Sequence, residues 1–151
     1  MSTETPALSS IRGSDPFPVP LRLRVLVVDD NKDAADSTAE LLTVCGADAW
    51  ISYGGEAALG AVGAFRPDAC VLDLGMPDMS GLELARRLRD RADGGELLLV
   101  ALTALGDAAT RAQVAAAGFD SHLVKPADPA ALLHQLGEHL ARRRAAAPAV
   151  D

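Results

Sequence analysis

The sequence predicts an α/β fold: a doubly wound, five-stranded parallel sheet built as (βα)5. Two observations predict it. Five short apolar runs alternate with five segments of helical periodicity over roughly 120 residues. The runs "VLVV", "ACVL" and "LLLVAL" are continuously apolar, as strands covered on both faces should be. Strands joined through helices run parallel, and each crossover is right-handed. A chain of 151 residues, 49% of them hydrophobic, can bury one core of this kind.

Each element has a local reason. Residues 1–20 carry Pro6, Pro16, Pro18 and Pro20 among Ser and Thr, which predicts a disordered leader over 1–21 ahead of a domain over 22–141. Leu23 to Asp29 reads as the first strand. Asn31 can cap a helix whose apolar face is Thr38, Leu41, Leu42 and Cys45, ending at Gly46. Asp48 to Ser52 is a second strand, followed by a helix with Ala58, Ala61, Val62 and Phe65 on one face, stopped by Pro67. Ala69 to Leu74 is a third strand, and "GMPDMSG" is turn chemistry. Ser80 and Glu83 form a capping box for a helix through about Arg91. Leu97 to Leu102 and Ser121 to Lys125 are the fourth and fifth strands. The helix between them, "GDAATRAQVAAAG", offers little beyond one valine and several alanines to a core. Asp128 caps a last helix with Pro129 in its first position and Leu132, Leu133, Leu136 and Leu140 facing inward. Arg142, Arg143 and Arg144 place favourable charge at its end, within a basic, Ala-rich tail over 142–151.

Charge and composition exclude several classes. A net charge of −7 argues against general nucleic-acid binding. No apolar run reaches the length of a membrane span, and the N-terminus lacks the pattern of a signal peptide. Cys45 and Cys70 sit in apolar stretches without metal-ligand spacing, which fits buried free thiols in a reducing cytoplasm.

In an open parallel sheet, ligands gather beyond the carboxyl ends of the strands. The polar residues there are Asp29 and Asp30 after strand one, Asp73 on strand three, Thr103 after strand four and Lys125 after strand five. Adjacent carboxylates repel, so Asp29 and Asp30 ask for a cation. An all-oxygen anionic set suits a hard ion such as magnesium, with manganese as the alternative. A lysine and a hydroxyl suit a phosphoryl group. Together they describe a carboxylate that accepts phosphate.

These residues resemble the receiver domains of bacterial two-component response regulators, over about Leu23 to Leu140. The motifs that carry the resemblance are "VLVVDDN", "VLDLGMPDMSGLELARRLR", "ALTAL" and "HLVKP", with the family's spacing from Asp73 to Thr103 and on to Lys125. The resemblance implies the flavodoxin-like strand order 2-1-3-4-5 and a regulator of the stand-alone, chemotaxis type. It makes Asp73 the phosphoacceptor and Asp30 a direct metal ligand, with Asp29 acting through metal-bound water. The backbone carbonyl of Gly75 becomes a further ligand, Thr103 and Lys125 bind the phosphoryl oxygens, and the Lys125–Pro126 bond is cis. The donor is a sensor histidine kinase or histidine phosphotransfer protein. Output passes through protein contacts to an unknown target, without nucleic acid or membrane, from a cytoplasmic monomer or weak dimer. Such a chain catalyses only its own phosphorylation and dephosphorylation and is otherwise no enzyme. One departure concerns the switch pair: the family's usual aromatic, three residues before the lysine, is here His122, beside Thr103.

Other readings compete. A receiver cut from a hybrid histidine kinase would look much the same. A haloacid dehalogenase-type phosphohydrolase also uses a strand-end aspartate and magnesium, but expects a second acid two residues on, where this chain has Gly75. A phosphorylation-independent interaction module would not need the full acid, threonine and lysine set. No output domain is expected after Leu140.

Overall fold

The computed structural model describes residues 23–91, 97–104, 106–125 and 128–146. Expectations about the leader, the Lys125–Pro126 bond, the inward face of Leu140 and the end of the tail lie outside what it describes. The elements are β1 (Arg24–Val28), α1 (Lys32–Val44), β2 (Asp48–Ser52), α2 (Gly55–Phe65), β3 (Ala69–Asp73), α3 (Gly81–Arg89), β4 (Leu98–Thr103), α4 (Ala108–Ala117), β5 (Ser121–Val124) and α5 (Pro129–Ala146). All strand pairs are parallel, in the order β2-β1-β3-β4-β5. The central strands β3 and β4 are buried at every residue, as their unbroken apolar runs require. The edge strands β2 and β5 are partly exposed.

Side chains alternate across the sheet and divide the core in two. Leu26, Leu72, Leu99 and Ala101 meet Val62, Leu84, Leu88 and Val114 from α2, α3 and α4. Val25, Val27, Val71, Val100 and Leu102 meet Leu42, Leu132, Leu133 and Leu136 from α1 and α5. The sheet is covered on both sides, so its strand ends lie at the amino and carboxyl rims.

The structure refines several local expectations. Helix α1 buries Ala35, Ala39 and Leu42, while Thr38, Leu41 and Cys45 are only half-buried. Ala61 is likewise half-buried on α2, whose end is set by Arg66 in the left-handed region at φ 57, immediately before Pro67. Helix α3 stops at Arg89, short of Arg91, and strands β3 and β5 each end one residue early. Only half of the capping box forms. Ser80 Oγ accepts from the Glu83 N–H at 3.1 Å, but the Glu83 carboxylate turns to Arg87 Nε at 3.0 Å. Helix α5 continues through Arg142–Arg144 to Ala146. Cys70 is fully buried, and burial pushes its thiol up to about 12. Cys45 is only half-buried.

Candidate functional site

Strand β1 ends in a chain of local hydrogen bonds. The Asp29 N–H still donates to Ser52 O at 3.1 Å, the last rung toward β2. The Asp29 side chain then folds back, Oδ1 accepting from the Asn31 N–H at 3.0 Å. Asn31 in turn caps α1 by accepting from the Ala34 N–H at 3.1 Å. The turn that starts the helix therefore buries Asp29, 2% exposed, and leaves its neighbour Asp30 in solvent.

Asp73 is the last residue of β3 and is also buried. Lys125 follows β5, and its N–H donates to Thr103 O at 2.7 Å, which ties the ends of β4 and β5 together. Its ammonium reaches across the rim. Nζ lies 2.9 Å from Asp73 Oδ1 and 3.4 Å from Asp29 Oδ2. Asp29, Asp30 and Asp73 each bring a carboxylate oxygen within 4.8 Å of the others. Thr103, buried, closes β4 next in the sheet to Asp73's strand. The structure thus brings together all four charged residues expected at the rim and sets Thr103 on the adjoining strand end.

Their electrostatics are unbalanced. Burial pushes the Asp29 carboxyl above the usual carboxylate range, and the nearby Asp73 charge adds to this against the Asn31 amide and Lys125. Burial draws Lys125 down, but Asp73 and Asp29 together overcome it and hold the ammonium above the ordinary lysine range. Three carboxylates face one ammonium. The excess negative charge and the all-oxygen donor set fit a hard divalent cation, which magnesium meets with few protein ligands and retained waters.

Gly75 lies beside Asp73, its N–H 3.5 Å from Asp73 Oδ1. His122 is half-buried opposite Ala101, so by strand alternation it lies on the α4 side of the sheet. Sequence reasoning missed Asp78. Its carboxylate leaves the loop after β3 and bonds the start of α2. The signal was the pair Gly54–Gly55, a helix start with no capping side chain of its own.

Residues 25–137 match the model of the response regulator receiver domain. The chain belongs to this family. This receiver is 37% identical over 125 residues to response regulator MprA of Mycobacterium tuberculosis, a match covering 83% of this chain and 50% of that protein. The chain spans about half the length of the curated relatives it matches. A CheY-like response regulator receiver domain protein from Methanospirillum hungatei superposes with a TM-score of 0.77 at 25% identity, over 83% of this chain and 99% of that one. Response regulator DrrB, a Thermotoga maritima OmpR/PhoB homologue, superposes with a TM-score of 0.72 at 30% identity, over 82% of this chain and 54% of that one. The expected family and strand order are borne out. Receivers are signalling domains of two-component systems, and the family typically binds magnesium in an acidic pocket of this kind. Among the described residues, no helix is long and apolar enough to cross a membrane.

Proposed function

We propose that this receiver accepts a phosphoryl group from a phosphohistidine onto Asp73. One observation carries the reading: Lys125 Nζ stands 2.9 Å from Asp73 Oδ1, inside a cluster of three carboxylates drawn from the ends of two neighbouring strands. In this reading Asp30, Asp73 and the Gly75 carbonyl hold magnesium, with Asp29 acting through its waters. The ion, when bound, neutralises the oxygens of the transferred group. Asp73 supplies the attacking carboxylate oxygen. Lys125 exchanges its Asp73 partner for a phosphoryl oxygen, and Thr103 donates its hydroxyl to another. The aspartyl phosphate adds a charge of about −1.5 to −2. Thr103 follows it, His122 answers on the α4 side, and the altered α4–β5–α5 face reaches a protein target.

The donor is a sensor histidine kinase or a histidine phosphotransfer protein, and the chain turns over nothing but its own phosphate. The folded unit is a cytoplasmic receiver over residues 22–141, with a leader before it. Acetyl phosphate and magnesium should add one phosphoryl mass to the wild type, mapped to Asp73. Asp73→Asn should take up none while keeping its circular dichroism spectrum. Label retained by Asp73→Asn would move the phosphoacceptor elsewhere.

A further inference from the structure

The loop after Asp73 is fastened from outside the rim. Helix α2 starts on Gly54–Gly55, and the N-cap glycine has no side chain with which to accept from the first-turn amides. Those amides need acceptors. Asp78 supplies them from the loop between β3 and α3. Its Oδ1 accepts from the Gly55 N–H at 3.2 Å and its Oδ2 from the Glu56 N–H at 3.2 Å. These donors hold the Asp78 carboxyl below the usual carboxylate range.

The approach is close enough to dictate sequence. A Cβ on Gly55 would stand 2.8 Å from the Cβ of Met79. Met76 and Met79, flanking Asp78, are buried in the core beneath. At the far end of the loop the Gly81 N–H donates to Leu74 O at 2.9 Å, and a Cβ on Gly81 would come within 2.5 Å of the Asp73 carbonyl oxygen. Residues 74–81 are therefore tied in the middle to α2, and at the end Gly81 closes back on the Leu74 carbonyl, packed against the backbone of Asp73. Gly75 lies between, where a Cβ would meet nothing within 4 Å. Its own N–H lies 3.5 Å from Asp73 Oδ1, and the loop on its far side is fastened by Asp78 and Gly81.

We propose that Asp78 is a positioning residue for the phosphoacceptor site, holding the Gly75 backbone in register with Asp73 by bridging the loop to the uncapped start of α2. This rests on the reading of the rim as a magnesium-dependent phosphoacceptor. It makes a prediction that simple helix capping does not. If Asp78 only capped α2, an acceptor built into α2 would replace it. Gly54 offers the place. Its backbone is extended (φ −171, ψ 168), a conformation any residue adopts, and the atoms nearest its Cβ position belong to the Asp78 carboxylate, at 3.1 to 3.4 Å. Gly54→Asp in an Asp78→Ala background therefore restores a cap and the same charge without restoring the bridge.

Wild type, Asp78→Ala and the double variant would be compared in three measurements: metal-free melting temperature, magnesium affinity by calorimetric titration, and amide exchange across residues 74–81. Asp78→Ala should melt lower, and the double variant should recover that loss. Both should bind magnesium about tenfold more weakly than wild type, and both should exchange faster at Gly75 and Met76. A double variant with wild-type magnesium affinity and wild-type protection would reduce Asp78 to a helix cap and overturn the proposal. So would unchanged affinity and exchange in Asp78→Ala. A wild type that takes up no magnesium would sink the functional reading by itself, and the exchange comparison would still decide on the loop.

Discussion

Asp29 carries a charge that its surroundings oppose. It is buried, and its carboxyl is raised chiefly by that burial, with Asp73 beside it adding to the effect. A raised folded-state pKa means that the folded protein binds this proton more tightly than the unfolded chain. The resulting stability is fully present below the unfolded value of 3.8 and is lost as pH rises through the raised folded value. Asp29→Asn keeps an oxygen for the Asn31 N–H and removes the charge. In metal-free protein it should raise the melting temperature at pH 7 by a few degrees, and the gain should vanish as pH falls through the carboxylate range. A gain that persists in acid would have another cause. Lys125 acts in the opposite sense. It is the cation bonded to both Asp73 and Asp29, with 32% of its side chain exposed. Lys125→Met leaves two buried carboxylates without that partner and should cost about 2 kcal/mol in urea unfolding, less than the loss for a fully buried pair. Because its folded pKa is raised, the stability it contributes holds below the ordinary value of 10.5 and disappears as pH rises through the folded value. The destabilisation by Lys125→Met should therefore shrink at strongly alkaline pH, and a constant difference would count against the ion pair.

At the scale of elements, the helices differ in how they are held. Helix α4 has good ends, with Asp107 Oδ1 accepting from the Thr110 N–H at 2.9 Å and Gly118 closing it at φ 103. Its inner face is thin, since Thr110, Val114 and Ala117 are all that it buries. A helix with well-capped ends and little buried area suits the shift proposed for this face. Its C-terminal junction is anchored from α3 instead. Arg89 donates to Gly118 O at 2.8 Å, to Leu97 O at 2.7 Å and to Asp120 Oδ2 at 2.9 Å, while that same Asp120 oxygen accepts from the Leu99 N–H. Arg89→Ala should cost about 2 kcal/mol by leaving these carbonyls and Asp120 short of donors. Magnesium affinity should not change, because the network sits where β4 and β5 begin, at the rim opposite Asp73. A large fall in affinity would mean that the two rims are coupled. Elements were legible wherever a residue does local work: Asn31, Ser80 and Asp128 each cap the helix assigned to them. The faces of α1 and α2 were less legible, because which side of an alanine-rich helix approaches a sheet is decided by the partner, not by the helix.

On the scale of the whole molecule, topology explains both what could be read from the sequence and what could not. A parallel sheet delivers every strand's carboxyl end to one rim, so polar residues that interrupt apolar runs identify the site without coordinates. Asp29, Asp30, Asp73, Thr103 and Lys125 were found in that way. Asp78 was not, because its partners Gly55 and Glu56 lie in a helix start brought to it by β-strand order, and no periodicity connects them. The same topology concentrates negative charge. Lys125 and the Asn31 amide offset the charge in part, but Asp73 still opposes Asp29, so the apo fold bears a repulsion that a cation would relieve. A ligand that binds only the folded state stabilises by mass action, about 1.4 kcal/mol at ten times its dissociation constant, or about 4 °C for a domain of this size. Magnesium at millimolar concentration should therefore raise the melting temperature. Asp30 is the informative residue to remove, since it is exposed and its loss should leave the core intact. Asp30→Ala should melt at or slightly above wild type without magnesium, since an exposed like charge is removed, and should lose most of the rise with it. A sodium chloride control at matched ionic strength separates specific binding from ionic-strength effects. An equal rise in wild type and Asp30→Ala would place the cation away from this rim, and the repulsion between Asp29, Asp30 and Asp73 would then need another counterpart.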